Sequence, residues 1–134
     1  MKNKIVYVDQ AEAGKILHCL TDDPNTFCVE IDGKICRASS DFLPQVYAKF
    51  QFPIPEIRYI YDGYLDWITD LTWIKEENIA FIIKNYDDFL CDDPSDKEWV
   101  MRMFTEYIFP WWEFEVCGHV VEGRPRLFRV YIVE

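Results

Sequence analysis

Three aspartates, Asp62, Asp66 and Asp70, recur four residues apart within the stretch YDGYLDWITDLTW, residues 61–73. On a helix, residues at that spacing share a face, and like charges stacked there cost a few tenths of a kcal/mol per pair. Asp is also a mediocre helix former. A chain that accepts three of them has a use for concentrated negative charge, and two kinds of chemistry present themselves. One is the grip of carboxylates on the cations of a partner, where Arg can engage a carboxylate through two hydrogen bonds. The other is acid/base catalysis or metal ligation. Along a helix, Asp62 to Asp70 spans ~12 Å, too far for all three to hold one ion. Tyr64 and Trp67 flank the aspartates and suit anchoring roles, since aromatic residues are favoured at interface centres. Asp62 can equally serve as a cap or dipole partner at the helix start.

The remaining residues do not support an enzyme. There is no nucleophile elbow, phosphate loop or zinc motif. Cys117-Gly118-His119 has no matching second pair, and His18-Cys19 has none either, so no metal and no cofactor is expected. The five cysteines (Cys19, Cys28, Cys36, Cys91 and Cys117) include no C-x-x-C pair. An odd count with no export signal points to reduced thiols in a cytoplasmic protein. Cys28 and Cys117 lie in strand-like runs and read as small buried hydrophobes.

The net charge is −10, and its distribution is uneven. Between Glu56 and Glu98, twelve carboxylates face only Arg58, Lys75, Lys84 and Lys97, a local balance of −8. Such a field repels nucleic acid and attracts basic surfaces; its plainest alternative use is solubility. At 134 residues, half of them apolar, the chain forms a single domain with a real core. No apolar run approaches the ~20 residues of a membrane span, so a soluble protein is expected.

The aspartates must be positioned by an α/β scaffold. KIVYV (4–8), FCVEI (27–31) and the continuous apolar run IAFII (79–83) read as strands, the last covered on both sides. AEAGKILHCL (11–20) reads as a helix, and Asp32-Gly33 as a tight turn. Residues 39–50 read as a helix capped by Ser40 or Asp41, with Pro44 in its first turn and Phe42, Leu43, Val46, Tyr47 and Phe50 on its apolar side. Pro53 and Pro55 interrupt the next segment. A helix over 64–72 then turns Leu65, Ile68 and Leu71 to the core, with Asp66 and Asp70 outward. Ser95 to Glu98 fits a capping box. It opens a helix with Trp99, Val100, Met103, Phe104, Tyr107 and Ile108 on its stripe, and Pro110 ends that helix. WEFEVCGHVV and RLFRVYIV flank EGRP as a final hairpin. The sheet is therefore expected to be small and mainly parallel, with antiparallel additions.

Several of these stretches resemble the barstar family, small cytoplasmic inhibitors of secreted ribonucleases. IDGKICRASSDFLPQVYAKFQFP (31–53) carries a strand, a turn glycine, a capped helix and an aromatic-x-Pro exit. YDGYLDWITDLTW resembles the family signature Tyr-Gly-x-Asn-x-Asp-Ala-x-x-Asp-x-Leu. AFIIKNYDDF (80–89), VMRMFTEYI (100–108) and FRVYIV (128–133) continue the order. The resemblance implies a barstar-like domain over 1–134, in which 1–26 is an N-terminal extension and 111–124 an insertion before the last strand. It also implies that Asp66 and Asp70 are the two carboxylates that enter the nuclease site. Glu106 matches the acidic contact on the later helix, and Tyr61 and Trp73 fall near contacting aromatics. Here Tyr64 replaces the signature Asn, Trp67 replaces Ala, and the spacing from Gly63 to Asp66 is one residue shorter.

A ribonuclease cleft displays cations to hold a phosphodiester, and carboxylates can sit where its phosphates would. The barnase–barstar complex is the type case of such close charge pairs. The expected function is thus a ribonuclease inhibitor or toxin immunity protein whose partner is a basic nuclease domain, with no nucleic acid or membrane bound. The alternative is a general acidic interaction module for some other basic protein. Glu106 can also simply pair with Arg102 four residues earlier.

Overall fold

A computed structural model describes residues 2–53 and 59–134. Its strands are β1 (Lys4–Val8), β2 (Thr26–Asp32), β3 (Asn78–Lys84) and β4 (Leu127–Val133). They form one sheet in the order β1-β4-β3-β2 with all three pairings parallel. In the centre, Phe81 of β3 lies between Val29 of β2 and Val130 of β4. Parallel strands need crossovers, and helices supply them on both faces.

One face takes Ala80, Ile82, Tyr131 and Val133, which pack with Val8 and with Ala13, Ile16, Leu17 and Leu20 of α1 (Gln10–Asp22). The alternate residues Ile79, Phe81, Ile83, Phe128, Val130 and Ile132 point into the larger core on the other face. There α2 (Ser39–Lys49) contributes Phe42, Leu43, Val46 and Tyr47, all buried as expected, and Phe50 follows just after it. The unbroken apolar run of β3 is the signature of this two-sided burial.

The start of α2 differs in detail from expectation. Its N-cap is Ala38, not Ser40 or Asp41, and Asp41 reaches back to accept the Ala38 N–H at 3.2 Å. Pro44 therefore lies in the second turn. The segment after Pro53 includes Pro55, which falls outside the described residues.

The largest departure lies in the last third. Helix α4 (Pro94–Met103) begins after an Asp93 N-cap with Pro94 in its first turn, so Ser95 to Glu98 form no capping box. Pro110 does not end the rod either. Wide turns at Phe104–Ile108 and Trp111–Glu115 bracket it, closed by Phe109 N–H to the Phe104 carbonyl and Val116 N–H to that of Trp111. The rod then runs into α5 (Val116–His119). Residues 111–119 are helical, and β4 pairs only in parallel, so the expected hairpin is absent from the described residues.

The physical reason is the buried stripe Val100, Phe104, Ile108, Trp112 and Val116, spaced by four. In an α-helix each step of four overshoots a full turn by about 40°. Turns closed five residues apart take up that excess and keep the stripe on the core. Tyr107, expected on the stripe, is instead exposed. Cys117 lies exposed on α5, Cys28 is half-buried, and the fully buried thiol is Cys36, pushed up to about 11 by burial.

Candidate functional site

The aspartates lie on and just beyond α3 (Tyr61–Ile68), which is shorter than the expected 64–72 helix. The chain turns at Thr69, Asp70 N–H and Leu71 N–H both donate to the Trp67 carbonyl, and Leu71 adopts φ 50°. Asp70 is therefore carried by the turn rather than by the helix. Even so, Asp62, Asp66 and Asp70 line one concavity of about 500 Å³, together with Tyr47, Gly63 and Trp67.

Local packing explains why α3 sits there. Tyr47 donates its hydroxyl to the Ile60 carbonyl at 2.9 Å, fixing the entry to α3. A Cβ on Gly63 would stand 2.4 Å from that phenol oxygen, so only glycine lets the two approach. Burial raises the Tyr47 pKa, and nearby Asp66 adds to the rise. Tyr64 and Ile68 are fully buried and anchor the helix to the core.

Most of the helix end is capped. An α-helix leaves its last four carbonyls without intrahelical donors. Here the Leu65 carbonyl takes both the Thr69 N–H and the Thr69 hydroxyl, the latter at 2.7 Å. The Thr69 hydroxyl also lies 3.4 Å from the Asp66 carbonyl. Trp67 accepts from the turn, and Ile68 accepts the Trp112 indole N–H at 3.1 Å.

Electrostatically the face is unbalanced. Asp62 and Asp66 are exposed, and Asp70 is partly so. Among the described residues, no ion pair involves any of the three. No basic residue occupies the last turn of α3, so Asp66 sits uncompensated at the negative end of the helix dipole. Among the described residues, no three His, Cys, Asp or Glu side chains converge as a metal site. The arrangement can accept hydrogen bonds and charge from a convex, cationic surface.

The other candidate residues fall in different places. Trp67 is half-buried in the wall of the concavity, edge-on to Trp73 with centroids 5.8 Å apart. Tyr64 does not flank the aspartates as an anchor. Its ring is wholly buried beside Phe42, because the short helix turns position 64 inward with Ile68. Leu65, expected in the core, is correspondingly only half-buried. Trp73 donates its indole N–H to the Phe50 carbonyl at 2.8 Å and packs on Phe52, so it works as a brace. Tyr61 is half-buried against Trp99, 2.6 Å from the Ser39 hydroxyl, and burial pushes it up to about 12. Glu106 is exposed, pairs with Arg102 at 3.6 Å and does not line the concavity.

Residues not anticipated from the sequence frame the site: Tyr47 and Gly63 in its wall, Thr69 and Trp112 capping α3, and Arg126 behind the turn. Arg126 donates to the carbonyls of Leu71, Ile74 and Glu76, each at 2.9 Å. Only the glycine between two acid-bearing turns was a local signal. The capping partners come from far along the chain.

No curated protein and no solved structure matches this chain. A family model described as Barstar (barnase inhibitor) matches residues 26–132, a span that begins at β2 and takes in every aspartate of the concavity. With the parallel sheet packed by helices on both faces, this match makes the chain a member of the barstar family.

Proposed function

We propose that this protein inhibits a basic nuclease by inserting its acidic concave face into the phosphate-binding cleft. The observation that carries the reading is the gathering of Asp62, Asp66 and Asp70 on one face with, among the described residues, no ion pair to any of them. A carboxylate left unpaired in the free protein is available to a guanidinium or ammonium of the partner, and close pairs of that kind across an interface contribute strongly. Membership of a family of ribonuclease inhibitors supports the same reading. Asp66 and Asp70 are the central contacts, with Asp62 and Trp67 beside them. Tyr61, Trp73 and Tyr64 serve by holding the face in place. Glu106 is a peripheral contact that first leaves Arg102.

The protein carries no catalysis and no cofactor in this reading, and it acts as an immunity protein in the cytoplasm, where its five unpaired thiols remain reduced. The test is RNA cleavage by barnase, used as a probe nuclease, with increasing amounts of this protein. Stoichiometric inhibition that is lost on joint Asp66→Ala and Asp70→Ala substitution is the expected result. Tight binding that leaves cleavage untouched would instead indicate an acidic module for another basic protein.

A further inference from the structure

Arg126 has a role that no motif announces. It precedes β4, is partly buried, and among the described residues has no carboxylate within ion-pair distance. Its guanidinium instead spends its donors on backbone: Nη2 on the Leu71 and Ile74 carbonyls and Nη1 on that of Glu76. All three belong to the segment that joins α3 to β3 and begins one residue after Asp70. Leu71 there holds φ 50°, an uncommon conformation for a side chain of this size, and such residues persist where the surroundings over-determine them.

Trp112 completes the bracket. Its indole N–H caps Ile68, its carbonyl accepts the Arg126 N–H at 3.0 Å, and its ring lies under the guanidinium at 5.1 Å. Both ends of the Asp70 turn are thus tied to one Trp–Arg pair. Asp70 and Arg126 also line the same groove beside the acidic concavity, so the cation lies on the flank of a carboxylate that has no ion-pair partner among the described residues.

We propose that Arg126 is a positioning residue for the acidic face, fixing the turn that presents Asp70 through the carbonyls of Leu71, Ile74 and Glu76. The importance of Asp70 to a partner rests on the function proposed above; the ordering of the turn does not. A generic stabilising role would act on the whole fold, whereas a positioning role acts on the turn.

The test uses the full chain carrying Arg126→Lys. Lysine keeps the charge but lacks the rigid planar fork that serves three acceptors. Hydrogen exchange at the Asp70, Leu71 and Ile74 amides should accelerate at least tenfold, while the Phe81 amide in the middle of β3 stays unchanged. Unchanged exchange in the turn, or equal acceleration at Phe81, overturns the proposal. With barnase as probe, Arg126→Lys should weaken binding at least tenfold. Combined with Asp70→Ala it should weaken binding no further than Asp70→Ala alone, because the two act through one contact. Additive losses overturn the link between Arg126 and Asp70. If the unaltered protein does not bind barnase while the exchange pattern holds, the proposed partner class fails and the positioning role stands.

Discussion

Replacing Asp66 with Asn should make the protein more stable and a weaker inhibitor. Asp66 lies in the last turn of α3, exposed, in no ion pair among the described residues, and with no basic residue in that turn. Removing its charge relieves an unfavourable dipole interaction of about 0.3–1 kcal/mol. It also relieves repulsion from Asp62 one helical turn earlier, at about 0.2–0.5 kcal/mol, and from Asp70 on the turn beyond. Exposure and salt reduce the total, leaving a gain of about 1 kcal/mol at low ionic strength. For a chain of this size, that gain corresponds to a Tm about 3–5 °C higher. Thermal denaturation at low and high salt checks both the sign and the screening. Affinity for a basic ribonuclease should fall by about 2 kcal/mol or more in the same variant. A lower Tm would refute the reasoning, since it would mean that Asp66 holds the fold together. An unchanged affinity would refute it as well.

Association with the partner should be fast and sensitive to salt. The acidic face should raise the on-rate by a decade or more above the unsteered ~10⁵–10⁶ M⁻¹s⁻¹, and stopped-flow measurements should show salt slowing association far more than it speeds dissociation. An on-rate indifferent to ionic strength would leave the charges a role in solubility only. Gly63→Ala should cost about 1–3 kcal/mol in denaturant unfolding, because the added Cβ would sit 2.4 Å from the Tyr47 phenol oxygen and overpack the wall of the site. A neutral Gly63→Ala would show that the phenol moves aside freely.

What could be read in advance follows from where the determining forces lie along the chain. The β3 run and the apolar side of α2 are local patterns, and both elements appear as the periodicity requires. The aspartate spacing was legible for the same reason, although the helix stops at Ile68 and the turn does the rest. The phase of α3 was not legible, since eight residues leave several rotations with similar periodicity. Packing of Tyr64 against Phe42 and Tyr61 selects one of them. Pro110 reads locally as a helix stop, yet the stripe from Val100 to Val116 at intervals of four already required a wider helix than 3.6 residues per turn. Arg126 could not have been anticipated, because its carbonyl partners lie about fifty residues away and have no side-chain identity.

The central claim is that binding is concentrated on the concave aspartates rather than spread over the acidic third of the chain. Asp70→Ala and Asp87→Ala remove the same charge, the first from the concavity and the second from an exposed position after β3. Equilibrium dissociation constants for barnase should decide between the two sites. Asp70→Ala is predicted to lose at least ~2 kcal/mol, about thirtyfold in Kd, and Asp87→Ala no more than ~0.5 kcal/mol. Equal, small losses in the two variants would contradict the account.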